Sequence, residues 1–310
     1  MVLRLFDVSQ FIHSGSKSLM WADGVVEEAE IYTPREISVG GLAYLIEEIK
    51  RYVNPETDIV FCLDGIPLKK REIMDTVFPE WGGYKGQRPQ KRPEISFQRD
   101  IVQEFLESMN ANVIHRSGYE ADDIIASIVR YYKDSYDKVY IHSRDSDLYY
   151  LVDSKVECVP VGRSGKHVTL TNWETTVCAG KVIKYNTLTL SKMLHGERGD
   201  NIPAAPADIM LEIMNKWPED KYAVCGDNDV LEQVIRTYSK NDKKTVAVMQ
   251  LIMPIIIPED ELYIHGEEFD SDLLNFYLHS LSGEATVYSY ASKEKGTEVL
   301  NGFVNRWMEM

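Results

Sequence analysis

The sequence predicts an α/β domain with a mostly parallel sheet flanked by helices, joined to a helical C-terminal region. Three observations lead there. Short apolar runs of strand length alternate with stretches of helical periodicity as far as about residue 185. Three of those runs finish at or just before an acidic residue, Asp7, Asp64 or Asp145, and in open parallel sheets ligands bind beyond the carboxyl ends of the strands. From about residue 186 the periodicity is helical and is punctuated by Pro203, Pro206, Pro218, Pro254 and Pro258. The expected division is a catalytic-type α/β domain over 1–185 and a helical region over 186–310.

Val2 to Phe6 reads as a strand that ends at Asp7. Val39 to Tyr52 carries Leu42, Leu45, Ile46 and Ile49 at helical spacing. Asp58 to Leu63 is a buried-type strand closed by Asp64 and Gly65. Helices are expected from Ser96 to about Asn110 and from Glu120 to about Lys133, and a strand from Lys138 to His142. Val156 to Val161 and His167 to Leu170 read as a hairpin around Arg163-Ser164-Gly165-Lys166. The helical region offers Leu188 to Leu194, Ala207 to Trp217, Val230 to Tyr238, Thr245 to Ile252 and Ser271 to Leu281.

The 310 residues are 44% hydrophobic and 27% charged, enough apolar material for a substantial core and too much for disorder. The N-terminus becomes charged too soon for a signal peptide. The apolar run near Leu251 to Ile257 is short and holds Pro254, so no membrane segment is expected. Cys62, Cys158, Cys178 and Cys225 show no CxxC pairing, which fits a reducing, cytoplasmic setting. The net charge of −15 argues against nucleic acid on its face. Its distribution argues the other way. Lys69, Lys70, Arg71, Lys85, Arg88, Lys91 and Arg92 form a basic tract against Glu72, Asp75 and Glu80. Such a tract either tracks a phosphate backbone or is a solvated loop. Trp81 and Tyr84 within it are candidates for stacking on bases.

The chemistry is carried by carboxylates. Glu120, Asp122 and Asp123 fall within four residues, just before the apolar run Ile124 to Val129. Asp145 and Asp147 follow, then Glu197 and Asp200. Like charges this close repel unless a cation neutralises them. Hard oxygen ligands with no matching His or Cys set point to Mg²⁺ or Mn²⁺ and phosphoryl chemistry. Singly, each acid has an ordinary reading as a turn former, a helix-dipole partner or a loop residue. Jointly, at strand ends and a helix start, they suggest one site. Glu120 and Asp123 lie three apart and share a helix face if both are helical, and the remaining acids could close a ring around two cations about 4 Å apart.

Three segments, Gly118-Tyr119-Glu120-Ala121-Asp122-Asp123-Ile124-Ile125-Ala126, Ser143-Arg144-Asp145-Ser146-Asp147-Leu148 and Gly196-Glu197-Arg198-Gly199-Asp200-Asn201-Ile202-Pro203, resemble in order the signatures of the 5′-nuclease family. This is the family of flap endonucleases and of the 5′-exonuclease domain of bacterial DNA polymerase I. Leu5-Phe6-Asp7 and Leu63-Asp64-Gly65 fit its first two acidic positions, and Tyr84-Lys85-Gly86-Gln87-Arg88 is similar to its Tyr-Lys-x-x-Arg segment. The resemblance implies a PIN-like, Rossmann-like sheet with a C-terminal helix-turn-helix region, and a structure-specific, Mg²⁺-dependent phosphodiesterase, with Mn²⁺ able to substitute. Asp7, Asp64, Glu120, Asp122 and Asp123 would hold or support a first ion. Asp145, Asp147, Glu197 and Asp200 would hold a second. Lys85 and Arg88 would stabilise the scissile phosphate beside the catalytic Asp122 and Asp145.

Two departures matter. Glu197 stands where the family usually has Asp. Ala204-Ala205-Pro206-Ala207-Asp208 replaces a glycine-rich hairpin that meets duplex phosphates, which puts the potassium site of that hairpin in doubt. The missing glycines and the tail Asp270 to Tyr277 and Val287 to Tyr290 are similar to the ribonuclease H branch of T-even phages. The implied substrates are branched DNA with a 5′ single strand and RNA–DNA hybrids, in replication within an infected bacterial host. The expected partners are a single-strand-binding protein and a sliding clamp, and the expected state is a monomer. The competing readings are a non-catalytic branched-DNA binder on the same fold and a small-molecule phosphohydrolase. Gly162 to His167 is a poor phosphate loop, no dinucleotide motif follows a strand, and the histidines lack zinc spacing.

Overall fold

The computed structural model describes residues 1–15, 40–89, 93–161, 167–169, 177–178, 181–182, 188–216, 233, 235–237, 239–262, 269–282 and 289–309. Five parallel strands form one sheet in the order β3-β2-β1-β4-β5. They are β1 (Val2–Asp7), β2 (Thr57–Leu63), β3 (Asn112–His115), β4 (Lys138–His142) and β5 (Val156–Val159). β1 is central, and its register sets Asp7 beside Cys62 of β2 and Phe6 beside His142 of β4. Leu3, Leu5 and Phe6 are fully buried because both faces of the sheet are covered.

One face is covered by α1 (Val8–Gly15), α2 (Gly40–Lys50) and α4 (Pro93–Ser108), and by the C-terminal α9 (Ser271–Tyr277) and α10 (Tyr290–Met308). Phe11, Leu45, Phe105, Tyr277 and Phe303 belong to this core. The buried Gln98 of α4 caps α2 by accepting from the Gly41 and Leu42 amides at 2.9 and 3.3 Å. The opposite face is covered by α5 (Ala121–Tyr132) and a 3₁₀ turn (Ser146–Leu151), whose apolar side chains pack on Leu3, Val60 and Ile141. A third core joins α3 (Leu68–Val77) to α6 (Leu188–His195), α7 (Ala207–Lys216) and α8 (Lys243–Ile252). A two-stranded antiparallel ribbon pairs β6 (Val177–Cys178) with β7 (Lys181–Val182). Among the described residues, no helix is long and apolar enough to cross a membrane.

Several expectations change. β3 lacks the apolar signal of a strand, because only Ile114 of its four residues is buried. α3 lies inside the basic tract and buries only Lys70 and Met74, one turn apart, so its periodicity is almost invisible. β5 joins the parallel sheet, and where the expected hairpin is described it pairs antiparallel with the later segment, Cys158 with Val168 exchanging both backbone hydrogen bonds. The turn at 163–166, the division near residue 185, most of the helix expected over 230–238, and Lys91 and Arg92 lie outside the described residues.

Candidate active site

The parallel order brings three acids together. Asp7 closes β1, Asp64 follows β2, and Asp145 follows β4, so they stand at the carboxyl ends of three adjacent strands. Asp122 enters from the first turn of α5. Ser143 links two of them: its hydroxyl donates to Asp7 Oδ2 at 2.9 Å and accepts from the Asp145 amide at 3.0 Å. Asp145 caps the following 3₁₀ turn by accepting from the Asp147 amide at 2.9 Å. Asp64 accepts from the Ala121 amide at 3.0 Å and the Ser9 hydroxyl at 2.6 Å, and pairs with Arg99 at 3.3 Å.

Glu197 and Asp200 sit on the loop between α6 and α7. The loop is a tight reversal in which Glu197 and Ile202 exchange both backbone hydrogen bonds. The basic loop after α3 is fastened to it. The Lys85 amide donates to Asp200 O at 2.8 Å, and Asn201 Nδ2 donates to the carbonyls of Trp81 and Gly83 at 2.5 and 3.0 Å. Gly86 makes this turn feasible, since a Cβ there would lie 2.1 Å from Gly82 O.

Cations partition the acids into two groups. Lys85 pairs with Glu120 and lies 3.5 Å from Asp200, while Arg88 pairs with Asp200 and donates to Gly199 O at 3.0 Å. Lys70 pairs with Glu120 at 3.2 Å and Asp123 at 3.7 Å. Lys192 of α6 pairs with Asp147 and lies 3.3 Å from Glu197. By contrast, Asp7, Asp122 and Asp145 form no ion pair among the described residues. Their electrostatics follow. Burial, then the charges of Asp64 and Asp145, pushes the Asp7 carboxyl far above the usual carboxylate range. Burial, then Asp145 and Asp7, does the same to Asp122. Burial and Asp145 raise Asp147 despite Lys192. Glu120 goes the other way: burial opposes its charge, but Lys70 and Lys85 hold it down at about 2.

Among the described residues, no three of the acids, histidines or cysteines stand in metal-ligand geometry. The lysines and arginines already occupy many of the carboxylates. The donor set of Asp7, Asp122 and Asp145, with Asp64 beside them, nevertheless fits a divalent cation. It is oxygen-only, partly enclosed and mutually repelling, and none of the three forms an ion pair among the described residues.

Some expected roles are corrected by burial and bonding. Asp123 is fully buried and accepts from the Glu120 and Ile255 amides at 2.9 and 2.6 Å, so it ties the start of α5 to the segment after α8 and does not face a ligand. Glu120 is the extended residue before α5 and does not share a helix face with Asp123. Tyr84 is 3% exposed and donates to Glu120 at 2.8 Å, so its ring cannot stack on a base. Lys70 is 4% exposed and committed to carboxylates, out of reach of a phosphate backbone. Trp81 is exposed, as are Lys69 and Arg71. Ser9, Arg99, Ser143, Lys192 and Asn201 carry site geometry that the sequence reading did not assign. Only Ser143 and Asn201 lay inside quoted motifs; the others gain their places through tertiary contacts.

Residues 26–178 match the family described as 5′-3′ exonuclease, N-terminal resolvase-like domain. A 5′-3′ exonuclease of Mycoplasmopsis pulmonis is 41% identical over 73 residues, 24% of this chain and 24% of that protein. A 5′-3′ exonuclease of Aquifex aeolicus is 34% identical over 123 residues, 40% of each chain. The chain thus matches well under two thirds of these relatives' length. A crystal structure of the T5 D15 protein with metal ions has a TM-score of 0.49 at 18% identity, covering 100% of this chain and 99% of that one. On the domain match and the exonuclease relatives, residues 26–178 are similar to the N-terminal domain of 5′-3′ exonucleases.

Proposed function

We propose that this protein is a structure-specific 5′-3′ nuclease that hydrolyses phosphodiester bonds in DNA flaps and RNA primers. The observation that carries the reading is the set Asp7 and Asp145 at the carboxyl ends of adjacent strands with Asp122 from the first turn of α5, none of them in an ion pair among the described residues, beside the Lys85–Arg88 loop. A binder of nucleic acid gains nothing from buried, repelling carboxylates facing a phosphate backbone. A site for divalent ions does.

Asp7, Asp64, Asp122 and Asp145 would hold one Mg²⁺, and Asp147, Glu197 and Asp200 a second. Such ions supply Lewis acidity toward water and the phosphate oxygens. The chain's own residues do the rest. Ser143 orients Asp7 and Asp145 through one hydroxyl. Lys85 and Arg88 stand on the rim, each already bridging to the acidic loop, where their charge would offset the growing negative charge of the transferring phosphoryl group. In the hydrolysis a water oxygen bonds to phosphorus and the P–O3′ bond breaks, leaving a 3′-hydroxyl and a 5′-phosphate. The exposed Lys69, Arg71 and Trp81 would meet the incoming strand, and the α6–α7 region the duplex.

The test is cleavage of 5′-labelled flap DNA and of an RNA–DNA hybrid, with Mg²⁺ or EDTA, by wild type and Asp145→Asn. Metal-dependent release of 5′ products, lost in Asp145→Asn while DNA binding persists, is the expected result. Unchanged cleavage by the variant overturns the carboxylate assignment. Tight, salt-sensitive binding of branched DNA without any cleavage favours the non-catalytic reading.

A further inference from the structure

At the β2–β3 end of the sheet, a cavity of about 350 Å³ opens between α1, α4 and the strand ends, with Asp64 in its wall. None of Lys85, Arg88, Glu197 or Asp200 lines it. Leu63 and Val102 are buried apolar residues in its lining. Ser9, Ser96 and Gln103 supply hydrogen-bonding groups, and Arg99 a guanidinium. The exposed Asp100 supplies an acceptor. The volume lies at the small end of ligand sites, enough for one nucleotide.

Arg99 gives the cavity its link to the carboxylates. Its only ion pair among the described residues is with Asp64, at 3.3 Å on the same oxygen that the Ser9 hydroxyl occupies at 2.6 Å. Anything that neutralises Asp64 releases a guanidinium toward an anion in the cavity, and a guanidinium suits phosphate oxygens. Topology gives the direction. The α6–α7 region and the Lys85 loop meet on the Asp200 side of the site, whereas the cavity lies beyond Asp64, across β1 from Asp145. A strand leaving a duplex held on α6–α7 and crossing the carboxylates reaches the cavity next.

We propose that this cavity is a mononucleotide subsite for the unpaired 5′ strand, gripping a phosphate with Arg99 and seating the sugar and base over Leu63 and Val102. The strand direction rests on the nuclease reading above; the existence of the subsite does not.

The test is titration of the protein in EDTA with thymidine 5′-monophosphate, followed by protein NMR, with inorganic phosphate and thymidine as separate arms. The expected result is a set of shifts centred on Leu63, Arg99 and Val102, with thymidine 5′-monophosphate binding more tightly than either fragment. Arg99→Ala should weaken binding about tenfold, and Asp64→Asn should strengthen it by freeing Arg99. Ser96→Trp, which fills the cavity without removing a charge, should also abolish the shifts. Equal affinity for inorganic phosphate, shifts confined to the Lys85–Arg88 loop, or no response to these variants overturns the subsite. Cavity shifts in a protein that cleaves no strand support the subsite and refute the nuclease reading. Cleavage without cavity shifts does the reverse.

Discussion

Without divalent ions, Asp7→Asn should stabilise the fold. Asp7 is 3% exposed and has no cationic partner among the described residues, and burial with the charges of Asp64 and Asp145 lifts its carboxyl from 3.8 to about 8. An acid raised in the folded state keeps its proton there while the unfolded chain has released it. Stability therefore falls as pH rises from about 4 to about 8, by about 4 kcal/mol at neutral pH. Asp7 shares its repulsion with Asp122 and Asp145, so one substitution should recover roughly half of that, about 2 kcal/mol. For a chain of this size the gain is about 3 °C in melting temperature. The assay is thermal unfolding in EDTA across this pH range, repeated with Mg²⁺. Wild type should lose stability with rising pH in EDTA and regain about 2.7 kcal/mol at roughly a hundredfold excess of ion over its dissociation constant. Asp7→Asn should show a flatter pH slope and a smaller response to Mg²⁺. A lower melting temperature in EDTA, or the wild-type slope retained, would refute the claim that these acids are an uncompensated cluster awaiting a cation.

Lys192→Ala strips Asp147 and Glu197 of their counter-ion. It should cost about 3 kcal/mol in EDTA, with much of the loss returned by Mg²⁺; thermal unfolding with and without the ion checks this. Glu120→Gln removes a carboxyl held at about 2, where Lys70 and Lys85 outweigh its burial. That contribution is complete above the ordinary value of 4.5 and disappears as pH falls through about 2. Acid titration of stability should therefore show a shallower limb for the variant, which is also weaker by about 3 kcal/mol near neutrality. Gly65→Ala would place a Cβ 2.2 Å from Arg116 O and 2.7 Å from Tyr119 O. Denaturant unfolding should register a loss of about 1–3 kcal/mol, and displacement of the neighbouring Asp64 should weaken Mg²⁺ binding in calorimetry.

Much of the site was legible because it is built on strand ends. β1 and β2 are near-continuous apolar runs, as strands covered on both faces must be, β4 is a shorter one around Val139 and Ile141, and the acid closing or following each marks the carboxyl edge. α5 was equally plain, since its acidic first turn precedes an unbroken buried face. β3 and α3 were not legible, because one buries a single side chain and the other two. The basic tract was read as one surface, yet Lys70 is buried against Glu120 while Lys69 and Arg71 stay exposed. One residue's difference in helical phase separates those fates, and only packing shows the phase.

The sequence by itself determined the alternation of strands and helices, the acids at the strand ends and the family signatures. These are local: a run of apolar residues and the residue that stops it are neighbours in the chain. The tertiary structure decided which acids are already neutralised. Lys192 meets Asp147 across 45 residues, Lys85 meets Glu120 across 35, and Arg99 meets Asp64 across 35. Coulomb energy depends on distance and burial in space and is blind to separation along the chain. The list of carboxylates could be read from the sequence, but the partition that leaves Asp7, Asp122 and Asp145 without an ion pair among the described residues arises only when the chain is folded.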